Sequence, residues 1–246
     1  MDNHLIKQTF NYIEMIESNI IKIKEDCIKH FPFYSLFMLF IYLIFYYIFP
    51  ESNYSSIELN TKYSYQIYRY YTYSLLHANA MHLIINLYTW IVFASIVEYD
   101  SGSLRSFGIH LFSIIGGSFA TGWQARITNS STKVIGASGG IYGMLSSIIS
   151  DLILNWNEFS KYKKFVYISI LSTTITSDII TNIVFYNPKI SYSAHIGGFI
   201  NGIFSGLILS RNRKIDKWEK KMQIGIGVTI AAVSISSFFN LLFINY

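Results

Sequence analysis

Stretches of about 17 to 25 residues without a single Asp, Glu, Lys or Arg recur along this chain, the length an α-helix needs to cross a hydrocarbon core of about 30 Å. In lipid every backbone amide must find its partner within the protein, so repeated apolar segments of this length form helices rather than open strands. The segments are Phe31 to Pro50, His77 to Val97, Ser106 to Ala125, Val134 to Ser150, Phe165 to Pro188 interrupted by Asp178, Ile190 to Ser210, and Met222 to Tyr246. The expected fold class is therefore all-α, a polytopic transmembrane helical bundle of seven spans. Composition agrees: 52% of the residues are hydrophobic and 13% charged, with a mean hydropathy of +0.35, unlike a water-soluble domain.

The net charge of +5 would raise the question of nucleic acid in a soluble chain, but its distribution points to the bilayer as the partner instead. Lys and Arg concentrate before the first span, after the second, between the fourth and fifth, and in Arg211 to Lys221. Lys62, Arg69, Arg126, Lys133 and Lys189 fall on the other side. The positive-inside rule then places the N-terminus in the cytosol, the loops after spans one, three and five outside or in a lumen, and the end of the seventh span outside as well. Residues 1–30 alternate acids and bases among isoleucines and lack the apolar region of a signal peptide, so they read as a short amphipathic cytosolic helix, with the first span as the insertion signal. Cys27 is the single cysteine, which excludes an intramolecular disulfide and a cysteine-based metal cluster.

The segment Glu51 to Leu76 is long for a connection in a helical bundle and is expected to have structure of its own. Its seven tyrosines suit the headgroup level, either as an ordinary aromatic belt or as a half-embedded loop. Internal repeats and matching pairs of broken spans are lacking in the sequence, which argues against a transporter.

Gly136-Ala137-Ser138-Gly139 stands near the start of the fourth span. A hydroxyl there lies by a helix N-terminus, where unpaired N–H groups favour developing negative charge, and the glycines allow close approach of another backbone. Taken alone, the pattern fits plain helix packing as well. His195 changes that reading. Gly198, Gly202 and Gly206 follow it at offsets that return to within about 60° of the histidine's direction, and Gly139 and Gly143 form a small-xxx-small pair on the fourth span. Two glycine-lined helices would pack closely enough for His195 to reach Ser138. A histidine beside a serine can take its proton as a general base, and with no Asp or Glu inside the second span, the expected arrangement is a dyad.

In the second span, His82 and Asn86 are four apart and share a face, whereas His77 and His82 diverge by about 140° on a helix, which argues against a shared metal site. His82 and Asn86 read as donors to an oxyanion or, more plainly, as polar links between helices. Tyr142, one turn after Ser138, is placed to pack on His195 or in the core. Asp178 has no assignable role, and His110 reads as structural.

Together these residues resemble the rhomboid family of intramembrane serine proteases over approximately Tyr68 to Leu209. Tyr68-Arg69 resembles the family's Trp-Arg loop motif with Tyr in place of Trp. His77, His82 and Asn86 match H-x(4)-H-x(3)-N, Glu98 matches the acidic residue closing the second span, Gly136 to Gly139 match G-x-S-G, and Ala194-His195 with Gly198 and Gly202 match the histidine helix. The resemblance implies Ser138 as nucleophile, His195 as base, and an oxyanion hole of His82, Asn86 and the Ser138 N–H. It implies Tyr142 stacked on His195, supporting roles for Gly136, Gly139, His77, Arg69 and Glu98, no cofactor and no metal, and single-pass membrane proteins as substrates. It further implies a cytosolic segment 1–30, a six-helix core over 31–211, and a basic loop plus seventh helix over 212–246. That six-plus-one order is similar to eukaryotic secretase-type members, hence an expected location in the secretory pathway or plasma membrane with the site facing lumen or exterior. A non-catalytic client-binding adaptor on the same fold is the alternative; such relatives lose the serine or histidine, and this chain keeps both.

Overall fold

The computed structural model describes residues 30–184 and 191–242. The leader up to residue 29 with Cys27, the span ends at Pro188 and Ile190, Lys189, and Tyr246 lie outside the described residues. Seven long helices account for most of the rest: α1 (Phe33–Ile48), α2 (Ala80–Ser101), α3 (Ser103–Ile127), α4 (Ser138–Leu154), α5 (Lys161–Val184), α6 (Tyr192–Leu209) and α7 (Lys217–Leu242). Each falls on one of the apolar segments. Helix α2, helix α6 and Lys217–Phe239 of α7 are each long and apolar enough to cross a membrane; α1 qualifies jointly with Glu51–Ile57, a break that turns the chain by 100°, and α4 is apolar but shorter.

Two helices begin three or four residues after the start of their apolar runs. His77 precedes α2, which starts at Ala80 because the Asn79 side chain accepts the His82 N–H at 2.9 Å as an N-cap. Val134 is in a two-residue strand, β2 (Lys133–Val134), paired antiparallel with β1 (Leu59–Asn60). This pairing holds the chain extended until Ser138 opens α4.

The centre of the bundle is α3, α4 and α6, packed backbone to backbone. A Cβ built on Gly198 would overlap the Gly139 carbonyl, and one on Gly202 would overlap Gly143. On α3, Gly116 faces Gly197 in the same manner. Close approach lets hydroxyls bridge the helices: Ser146 Oγ donates to the Phe199 carbonyl and Ser150 Oγ to the Ile203 carbonyl, both at 2.7 Å.

Against this centre, α1 and α2 pack through large rings. Trp90 is fully buried and donates its Nε1 to the Ser35 carbonyl at 2.8 Å. His110 of α3 is hydrogen-bonded to the hydroxyls of Tyr34 (2.6 Å) and Tyr42 (3.2 Å), with its ring 4.5 Å from that of Trp90. Glu98 accepts the N–H groups of Tyr34 and Ser35 at 2.7 and 2.8 Å, satisfying the start of α1, and the Ser103 hydroxyl at the start of α3.

One end of the bundle is closed by Asp100. It pairs with Lys163 and, at 3.4 Å, with Arg213, and accepts the Tyr167 hydroxyl, joining α2, α5 and the segment before α7. Helix α7 is joined to α3 and α6 by Trp123 Nε1 donating to Ser237 Oγ and by Gln223 Nε2 donating to the Leu207 carbonyl. The Glu51–Leu76 segment has structure throughout, in short helical turns, β1, and a knot around buried Arg69, whose Nη1 donates to the carbonyls of Ser55 (2.9 Å) and Glu58 (2.8 Å).

Candidate active site

Ser138 occupies the first position of α4, delivered by a turn that only glycine suits. Gly136 has φ +127°, its N–H donates to the Tyr73 carbonyl at 2.9 Å, and a Cβ there would meet the His82 ring at 2.8 Å. The serine hydroxyl lies 2.8 Å from Nε2 of His195, in the first turn of α6. The approach rests on Gly198 of α6, where a Cβ would overlap the Gly139 carbonyl oxygen. Tyr142 stacks on the imidazole with centroids 4.2 Å apart and planes at 17°, and Tyr192 meets it edge-on at 6.4 Å.

His82 stands over the same turn. Its Nδ1 accepts the Ala78 N–H at 3.3 Å. A neutral imidazole accepting at Nδ1 carries its proton on Nε2, so a donor points toward the Gly136–Ser138 turn. Asn86, one turn further along α2, is buried, and its Nδ2 makes no hydrogen bond to the described residues. A serine hydroxyl on a base, a helix N-terminus and an imidazole N–H donor form the parts needed to attack a carbonyl and hold the resulting oxyanion.

His77 departs from the sequence argument. Its ring is 5.2 Å from that of His82 and 5.7 Å from that of Tyr42, since it precedes the helix and the 100° step does not apply to it. Among the described residues no three His, Cys, Asp or Glu side chains gather closely enough to hold a metal ion. Arg69 and Glu98 lie away from the dyad, in the loop knot and at the α1 terminus. Asp178, without a role in the sequence, lies part-buried on α5 beside exposed isoleucines. Tyr192 and the Ala78 N–H, which do adjoin the site, gave no signal in the sequence.

A family model for the Rhomboid domain matches residues 64–212. The chain is 29% identical to RHOMBOID-like protein 5 of Arabidopsis thaliana over 136 residues, 54% of this chain and 41% of that protein. It is 24% identical to human Rhomboid-related protein 3 over 166 residues, 64% of this chain and 39% of the relative. With Arabidopsis RHOMBOID-like protein 6, mitochondrial, it shares 33% over 134 residues, 54% and 41% of the two lengths. The chain thus spans about two fifths of these relatives' length. Since the matched segment runs from the loop before α2 to the end of α6 and takes in more than half of the sequence, this integral membrane protein belongs to the rhomboid family.

Proposed function

We propose that this chain is an intramembrane serine endopeptidase that cuts single-pass membrane proteins within or beside their transmembrane segment. The observation that carries the reading is the 2.8 Å approach of Ser138 Oγ to His195 Nε2, between helices whose glycines leave no room for anything larger. His195 takes the Ser138 proton as Oγ attacks the scissile carbonyl, then delivers it to the leaving amine; water, activated by the same imidazole, hydrolyses the acyl-enzyme. The oxyanion is received by the Ser138 N–H, the Nε2–H of His82 and the Asn86 amide. Tyr142 keeps the imidazole plane.

In this reading all seven helices span the bilayer, with residues 31–211 as the six-helix catalytic core and 212–246 adding the basic loop and seventh span. The cationic ends lie in the cytosol and the site faces the lumen or exterior of the secretory pathway or plasma membrane. The long Glu51–Leu76 segment, at the Ser138 end of the bundle, sits at the outer headgroup level.

The test is cleavage of a co-expressed, tagged single-pass protein by wild type, Ser138→Ala and His195→Ala at equal membrane abundance. Cutting by wild type alone supports the dyad. Equal cutting by the variants would overturn it, and silence of all three forms against several substrates would favour a client-binding adaptor.

A further inference from the structure

The chain leaves α4 at Leu154 and turns through residues 155–160 into α5; it leaves α6 at Leu209 and reaches α7 through residues 210–216. Buried polar groups tie these two connections together. Asn155 donates its Nδ2 to the Arg211 carbonyl and accepts the Arg213 N–H at Oδ1, both at 2.9 Å, and Ser101 Oγ accepts the Arg211 N–H at 3.1 Å. Further along, the buried Glu219 carboxylate accepts the Asp216 N–H at 2.7 Å and the Asn212 amide at 2.9 Å. The backbone of this segment is thus held from beneath, while Arg211, Arg213 and Lys214 are exposed, as are Lys217 at the start of α7 and Lys161 at the start of α5.

Arg213 and Lys163 converge on the Phe159 ring, at 5.3 and 4.0 Å, and share one oxygen of Asp100, whose other oxygen accepts the Tyr167 hydroxyl. Among the described residues, Lys161, Arg211, Lys214 and Lys217 form no ion pair. Of the nearby carboxylates, Asp100 and Asp151 are buried and Glu219 is engaged by Asn212 and the Asp216 N–H, which leaves Glu158 and Asp216 at the surface. Exposed cations outnumber them. Trp156, Tyr162 and Trp218 stand exposed among these cations, with Lys164 Nζ 4.6 Å over the Trp156 ring. Just beyond, α5 carries no Lys or Arg over residues 165–184, and α7 carries no charge over residues 222–242. Amphipathic rings beside the ends of apolar helices sit at headgroup depth, which sets the cations level with lipid phosphates. That depth favours lipid over an acidic protein as the counter-charge.

We propose that the rim formed by residues 155–164 and 211–217 binds the phosphate headgroups of anionic phospholipids, through Arg211, Lys214 and Lys217 together with Lys161. The site holds whether or not Ser138 reacts; its assignment to the cytosolic leaflet, which carries the anionic lipid, rests on the orientation read above. Since the backbone is fixed in advance, binding orders side chains alone, and that lowers its entropic cost. A headgroup here bridges the starts of α5 and α7 on the side where Asp100 already draws Lys163 and Arg213 together.

The experiment reconstitutes the full chain in phosphatidylcholine vesicles with traces of spin-labelled phosphatidylserine or phosphatidylcholine and measures the motionally restricted fraction of each. Wild type is expected to prefer the anionic label about tenfold at low salt and to lose most of that preference at about 0.5 M salt. Lys214→Gln/Lys217→Gln should remove most of the preference, whereas Lys214→Arg/Lys217→Arg should keep it. Lys62→Gln/Lys133→Gln, an equal loss of charge at the other end of the bundle, should also keep it. Equal preference for the two labels by wild type would overturn the proposal, as would equal losses in the two glutamine pairs or a loss in the arginine pair. Displacement of the anionic label by inorganic phosphate beyond the effect of chloride at the same ionic strength would overturn it in favour of a site for free phosphate. Displacement by a soluble poly-glutamate peptide would overturn it in favour of an acidic protein segment.

Discussion

The α4–α6 seam and the α1–α2–α3 seam solve the same packing problem in opposite ways. In the first, glycines bring backbones together and short hydroxyls bridge the remaining gap. In the second, Tyr34, Tyr42, Trp90 and His110 fill a wide space with interlocking rings whose polar atoms are paired. The glycine seam leaves no volume to adjust and sets the distance between Ser138 and His195. The hydrogen bonds of the aromatic seam, by contrast, go to neither Ser138 nor His195. The molecule concentrates its positional precision where the candidate chemistry is and its bulk burial where it is not.

Gly198→Val should break this contrast most severely. Its side chain has no space against the Gly139 carbonyl, and a cost of about 3 kcal/mol or more, at the upper end for overpacking, should separate α4 from α6 and abolish cleavage. Activity at wild-type level together with an unshifted unfolding temperature in detergent would show that the seam is not rigid. His82→Ala comes next, with a loss of about 10² to 10³ in kcat from removing one oxyanion donor and little change in folding stability. The reverse pattern, stability lost with kcat intact, would make His82 a packing residue. Glu98→Ala leaves the first N–H groups of α1 unsatisfied and should lower stability by about 3 kcal/mol in denaturant titration, with kcat of the folded fraction near wild type. Smallest is Tyr42→Phe, which removes a single 3.2 Å hydrogen bond to His110 and should cost about 1 kcal/mol with no effect on cleavage. A fall in kcat there would tie the aromatic seam to the dyad.

The helices and the serine–histidine pair were legible because both follow from local patterns, charge-free runs for the first and glycine spacing for the second. What escaped depends on distant segments. Val134 reads as helix, yet pairs with Leu59, so α4 begins at Ser138. The spacing of His77 and His82 implies a helical direction for His77, yet Asn79 caps the helix after it. His110 reads as structural from its own segment; its partners are tyrosines of α1.

Ser138 and His195 are 57 residues apart, and the turn before Ser138 is pinned to a strand that precedes it by 75 positions, Leu59 against Val134. As the chain emerges from the ribosome, the hydroxyl is therefore inserted long before its base. In the protease reading it stays chemically ordinary until α6 has entered and docked, so a nascent chain of this kind would pass through the insertion machinery unarmed, able to react only when most of its bundle is complete.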